Sequence, residues 1–161
     1  MSAPPIPLVA LRDPFVFFAT GFGAGLLRPA PGTWGSALAL PFAWALSLLP
    51  LAPELGLVLA SAVIGVWICG RAAERLRAED HGGIVWDEMA GIWFALALLP
   101  VDLYSALLAF GFFRLFDITK PWPVSWADRE VGGGLGVMLD DLIAGVLAGG
   151  ATFLVLRYLP L

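Results

Sequence analysis

Five long apolar stretches run through this chain, at residues 34–51, 54–70, 84–99, 102–118 and 137–159. A helix of about 20 mainly apolar residues, with about 17 still adequate, crosses the hydrocarbon core of a bilayer. Lipid offers no partner to an open strand edge, so stretches of this kind are expected to be helices. The chain therefore reads as an all-α, multi-pass membrane helical bundle: about five transmembrane helices in a single domain spanning residues 1–161. A further apolar segment, residues 15–27, is short and carries Thr20, Gly21, Gly23 and Gly25, and is expected to be interfacial or re-entrant. Pro41, inside the first stretch, is expected to kink its helix. Composition agrees, with 60% hydrophobic and 14% charged residues, where a soluble domain carries about a quarter charged.

The loops set the orientation. Residues 50–53 and 100–101 contain no Lys or Arg, whereas Arg71, Arg75 and Arg77 follow the second stretch and Arg114, Lys120 and Arg129 surround the end of the fourth. The positive-inside rule places these basic segments in the cytoplasm, with the N-terminus inside and the C-terminus outside. The start of the chain has Pro4, Pro5 and Pro7 before Arg12 and Asp13 and lacks the pattern of a cleaved signal, so it is expected to be mature sequence. The single Cys69 cannot close an intrachain disulfide. Acids outnumber bases 13 to 9, and no Lys/Arg block tracks a phosphate backbone, which argues against nucleic acid as a partner.

Against this background the acids stand out. A charge near the bilayer centre costs roughly 2.5 to 3.5 kcal/mol, so acids beside membrane segments point to function. Asp87 and Glu88 are expected in the first turn of the third helix, Asp117 in the last turn of the fourth, and Asp140 and Asp141 in the first turn of the fifth. All five then share the cytoplasmic edge, together with residues 31–36 (PGTWGS) and 80–83 (DHGG). Clustered carboxylates at a headgroup interface suit Mg2+, which takes oxygen ligands and keeps waters beside substrate phosphates. Acids at helix N-termini also complement the dipole, which accounts for either tandem alone but not for the set. Adjacent helical residues point about 100° apart, so each tandem is expected to supply one ligand and one outer partner.

Other residues fit a phosphate. Thr33 and Ser36 open the first helix, where free N–H groups attract anions, although ordinary capping uses the same residue types. Arg28 lies just upstream and suits a charge-assisted grip. The run 132–136 brings backbone close to a headgroup or is a flexible loop. His81, the only histidine, is suited to proton transfer beside Asp80, though a lone His in a Gly-rich loop is commonly structural. Trp86, Trp93, Trp122 and Trp126 read as an interfacial belt. The C-x5-R spacing from Cys69 to Arg75 lies where an apolar helix leaves the membrane and is coincidental. One histidine excludes two-histidine phosphatases, and no G-x-S-x-G elbow is present.

The blocks ATGFGAGLL (19–27), PGTWGS (31–36), DHGGIVWDEMAGIW (80–93) and FRLFDITKPWPVSWADREVGGGLGVMLDDLIAG (113–145) strongly resemble the bacterial phosphatidylglycerophosphatase A family. The resemblance covers nearly all of residues 19–145. It implies a Mg2+-dependent, multi-pass inner-membrane phosphatase that converts phosphatidylglycerophosphate to phosphatidylglycerol and inorganic phosphate. Asp87, Glu88, Asp117, Asp140 and Asp141 are then the expected metal ligands. Lys120, Arg28, Arg114 and Arg129 would neutralise phosphate, Thr33 and Ser36 would donate hydrogen bonds, and Asp80 or His81 would handle a proton. Water attack and an aspartyl-phosphate both remain open. Two other classes use such acids. An ion-coupled transporter would carry them near mid-membrane, often with internal repeats, and no repeat is present here. A CDP-alcohol phosphotransferase would carry a D-x2-D-G-x2-A-R core, which is missing.

Overall fold

A computed structural model describes residues 4–78 and 81–159, and every regular element among them is helical. The chain enters through a 3-10 turn, Leu8–Arg12, into the short helix α1 (Pro14–Ala19). Asp13 caps α1 by accepting from the backbone N–H of Phe15 at 2.9 Å. Left-handed backbone at Gly21, Phe22 and Gly23 and a second 3-10 turn, Ala24–Leu26, then reverse the chain. The expectation of a non-crossing N-terminal segment agrees with these short pieces. Six helices follow: α2 (Pro31–Ser47), α3 (Leu51–Leu76), α4 (Trp86–Leu96), α5 (Leu103–Thr119), α6 (Val124–Glu130) and α7 (Gly133–Tyr158). Asp102 and Ser105 form a reciprocal capping box at the head of α5.

The centre of the bundle is α4. Met89, Ala90, Gly91, Ile92, Trp93, Ala95 and Leu96 are buried on it, and α2, α3, α5 and α7 all pack against it. A helix that is apolar all round belongs inside. Glycines set how closely α7 approaches: a Cβ on Gly91 would lie 2.8 Å from the Asp141 carbonyl oxygen, and one on Gly145 would lie 3.0 Å from the Gly91 Cα. This near backbone-on-backbone contact draws the acid-bearing start of α4 alongside the acids of α7.

Two helices, α3 and α7, are each long and apolar enough to cross a membrane. Only 28% and 33% of their apolar windows are buried, so most of that surface faces outward, as at Leu59, Val63 and Trp67 on α3 and at Phe153 and Leu154 on α7. Outward apolar area of this extent marks an interaction surface rather than a solvated one. The expectation of five spans is therefore met in full length by two. At 1.5 Å per residue, α2 and α5 extend about 26 Å, and α4 only about 16 Å. The apolar stretch 84–99 gives a shorter helix because Val85 is non-helical and the chain turns at Ala97 and Leu98.

Three local expectations change. The glycine run is not a loop after Gly132: α7 starts at Gly133, and Gly134 lies so close to α3 that a Cβ there would come within 2.8 Å of the Gly70 nitrogen. Asp140 and Asp141 consequently sit about two turns into α7 rather than in its first turn. Trp86 and Trp93 are not belt residues. Their indole N–H groups donate to the carbonyls of Ser61 (3.1 Å) and Ala39 (3.0 Å), tying α4 to α3 and α2. Trp122 and Trp126 are exposed, as a belt requires.

Candidate metal and phosphate site

The tandem at the start of α4 and the tandem on α7 meet. One oxygen each from Asp87, Glu88 and Asp141 lie within 4.8 Å of one another. These three carboxylates, with Asp117, Lys120, Asp128 and Asp140, line a cleft of about 260 Å3 floored by Gly82, Ile84 and the glycines at the start of α7. Asp87 is buried, and its Oδ1 accepts from the Glu88 N–H at 3.0 Å, which fixes the carboxylate at the helix start. Asp141 is 4% exposed, and its Oδ1 is buried without a hydrogen-bond partner, as is Oε2 of Glu88. Buried carboxylate oxygens left unpaired are costly unless something electropositive reaches them. An all-oxygen donor set of this spacing fits a hard divalent cation.

The remaining acids already have cations. Arg114, on α5, pairs with Asp117 one turn later at 2.7 Å and lies 3.9 Å from Glu88. Lys120, just past α5, bridges Asp128 on α6 and Asp140 on α7, the latter at 2.9 Å. Burial alone would lower the Lys120 pKa, but the hydrogen bonds to Asp128 and Asp140 outweigh it and hold the ammonium above its ordinary range. It therefore stays charged at neutral pH.

The other expected residues separate into near and far. Ser36 is fully buried; its hydroxyl donates to the Gly32 carbonyl at 2.8 Å and receives Arg114 at 3.4 Å, so it steadies Arg114 rather than facing a headgroup. Thr33 is half-buried and lies off the cleft, and Arg28 and Arg129 are exposed away from it, Arg129 donating through Nε to the Ser125 carbonyl. His81 is buried and engaged at both nitrogens: Nδ1 accepts from the Gly83 N–H at 3.1 Å, and Nε2 lies 2.9 Å from the Pro4 carbonyl. These contacts make it a brace for the N-terminal segment, not a group poised over the cleft. Asp80 lies outside the described residues.

Residues 17–156 match the family described as phosphatidylglycerophosphatase A. The chain belongs to that family. It is 40% identical over 152 residues to the phosphatidylglycerophosphatase A of Escherichia coli, covering 94% of this chain and 88% of the relative. It is 37% identical over 147 residues to that of Haemophilus influenzae, covering 89% and 90%. A relative from Bacteroides thetaiotaomicron, 39% identical over 139 residues and covering 81% and 86%, is provisionally named a phosphatidylinositol-3-phosphatase. No solved structure matches at a comparable level.

Two features of this chain escape sequence reasoning. Asp128 lines the cleft and pairs with Lys120, while its neighbour Arg129 points elsewhere. The signal was there, since Asp128 lies in the block 113–145 that carries the resemblance, but a seven-residue helix shows no clear periodicity. Gly32 is the other. A Cβ there would fall on the Glu88 carboxylate and within 3.1 Å of the Arg114 guanidinium. The head of α2, expected to cradle a substrate phosphate, already faces the chain's own anion.

Proposed function

We propose that the chain hydrolyses phosphatidylglycerophosphate to phosphatidylglycerol and inorganic phosphate, with Mg2+ held by Asp87, Glu88 and Asp141. The observation that carries this reading is the trio of carboxylate oxygens with buried, unpartnered Asp141 Oδ1, in a chain of this family. Mg2+ in that seat would polarise the phosphoryl group and lower the pKa of a bound water. Lys120, which lines the cleft, and Arg114, which pairs with the lining acids Asp117 and Glu88, would supply fixed positive charge for the equatorial oxygens. Water forms the new P–O bond as the ester P–O bond breaks, and the proton that the water gives up balances the one taken by the released alkoxide of the glycerol.

On this reading the chain is a multi-pass protein of the bacterial inner membrane with the cleft at the cytoplasmic face. Helices α3 and α7 cross in full. Helices α2 and α5 cross with slight thinning, and α4 crosses inside their ring, where its short length is no penalty because protein rather than lipid surrounds it. The basic residues Arg71, Arg75 and Arg77 at the end of α3 lie on the cytoplasmic side by charge. A lipid phosphomonoester would present its phosphate at that depth.

The test is phosphate release by the purified chain in detergent, with phosphatidylglycerophosphate, phosphatidylinositol 3-phosphate and phosphatidic acid compared. Release is expected to be fastest from phosphatidylglycerophosphate, to stop with EDTA, to return with Mg2+, and to be nearly abolished in Asp141→Asn. Undiminished turnover in EDTA or in Asp141→Asn would overturn the metal assignment, and a preference for another lipid would overturn the substrate.

A further inference from the structure

Asp128 and Asp140 stand outside the carboxylate trio, yet both line the same cleft as Asp87, Glu88 and Asp141. In a two-metal phosphoryl-transfer site, a second ion would sit between such a pair, bridged to the first by neighbouring ligands. Here an ammonium sits there instead. Lys120 Nζ bonds Asp128 Oδ1 and Asp140 Oδ2 together, the second at 2.9 Å. The backbone of Lys120 is fixed as well, since it ends α5 in left-handed conformation (φ 43°) with its N–H donating to the Phe116 carbonyl at 2.8 Å. Such backbone is uncommon for a side chain with a Cβ. Here it turns the ammonium towards the acids of α6 and α7.

The two members of the tandem Asp140–Asp141 have different surroundings. Asp140 is buried and bound by Lys120, while Asp141 keeps a buried, unpartnered oxygen and lies against Asp87 and Glu88. Asp117 is likewise taken by Arg114 at 2.7 Å. Of the five acids expected as ligands, Asp117 and Asp140 are thus each closely paired with a side-chain cation.

We propose that Lys120 is a built-in second cation of the cleft: its ammonium, seated between Asp128 and Asp140, occupies the position a second divalent ion would otherwise take, so the chain binds one divalent ion and not two. This rests on the metal reading of Asp87, Glu88 and Asp141. A fixed ammonium supplies positive charge beside the phosphate without a dissociation equilibrium of its own. It also makes Asp128 a positioning residue, acting on the cleft only through Lys120.

The experiment counts Mn2+ bound per chain in purified, detergent-solubilised protein, by electron paramagnetic resonance of free Mn2+ during titration. The full chain is expected to bind one ion. Lys120→Gln, with helical circular dichroism as wild type, is expected to bind a second, and Lys120→Arg, which keeps a cation in place, to stay at one. Adding Asp128→Asn to Lys120→Gln is expected to return the count to one. Two ions on the wild type, or a single ion on a folded Lys120→Gln, would overturn the proposal while leaving the carboxylate trio intact. No bound ion on the wild type would instead overturn the metal reading itself. If Lys120→Gln does not fold, the wild-type and Lys120→Arg counts still decide, since two ions on either refutes the built-in cation.

Discussion

Arg114 gives the sharpest stability test. Its side chain is 16% exposed and sits 2.7 Å from Asp117 and 3.9 Å from Glu88, two carboxylates of similar burial. At an effective dielectric of about 20, the 2.7 Å separation from Asp117 corresponds to a gross attraction of about 6 kcal/mol. Desolvation of all three groups cancels much of that, but removing one partner leaves the others as uncompensated buried charges, which costs about 3 to 5 kcal/mol. Arg114→Gln is therefore expected to lose about 3 kcal/mol or more, a fall in apparent Tm of roughly 6 to 12 °C for a chain of this size. Asp117→Asn in the same background removes one stranded charge, so the double variant is expected to be more stable than the sum of the two single losses by about 1 kcal/mol or more. Thermal unfolding of the four proteins in one detergent, followed by helical circular dichroism, supplies the cycle. An Arg114→Gln protein within about 2 °C of wild type, or losses that simply add, would refute the account of Arg114 as a neutralising clasp.

Two further predictions concern packing and pH. Gly134→Ala pushes a methyl group into the backbone of α3 at Gly70 and is expected to cost about 1 to 3 kcal/mol, whereas Gly111→Ala on α5, with nothing within 4 Å, is expected to gain about 0.5 to 1 kcal/mol; equal effects in thermal unfolding would contradict the close α3–α7 contact. Lys120 has a folded pKa raised above its ordinary 10.5, so its stabilisation is fully present below that pH and is lost only as pH climbs through the higher folded value. The Tm difference between wild type and Lys120→Gln is thus expected to be flat from about pH 7 to 9 and to shrink above 10.5; a difference that is already lost between about pH 7 and 9 would contradict the pairing.

The acids were legible in the sequence because a carboxylate in an apolar chain is conspicuous: Asp87, Glu88 and Asp141 converge with Asp117 and Asp140 beside them, although both members of the Asp87–Glu88 tandem join the trio where one was expected. Which acids are neutralised internally was not legible, since that depends on where Arg114 and Lys120 reach across helices. Helix bounds failed at the start of α7, where the glycine run reads as loop by propensity but Gly134 is required by the approach of α7 to Gly70. Hydropathy alone did not separate α4 from a lipid-facing span, because a helix buried in protein and one bathed in lipid are equally apolar. Trp86 and Trp93 misled for a related reason: an indole satisfies its N–H as well on a neighbouring helix carbonyl as at a headgroup.

The missing side chain at Gly32 has a consequence for how the bundle assembles. Only a glycine leaves a notch at the head of α2 into which the Glu88 carboxylate fits, and the partial positive charge of that helix end favours an anion there. The two therefore act as a pin and socket that lock α2 and α4 against sliding past one another along their axes. Sliding by one helical turn would withdraw the anion from its socket, so the relative height of α2 and α4, and with it the floor of the cleft, is set by a contact between the two helices.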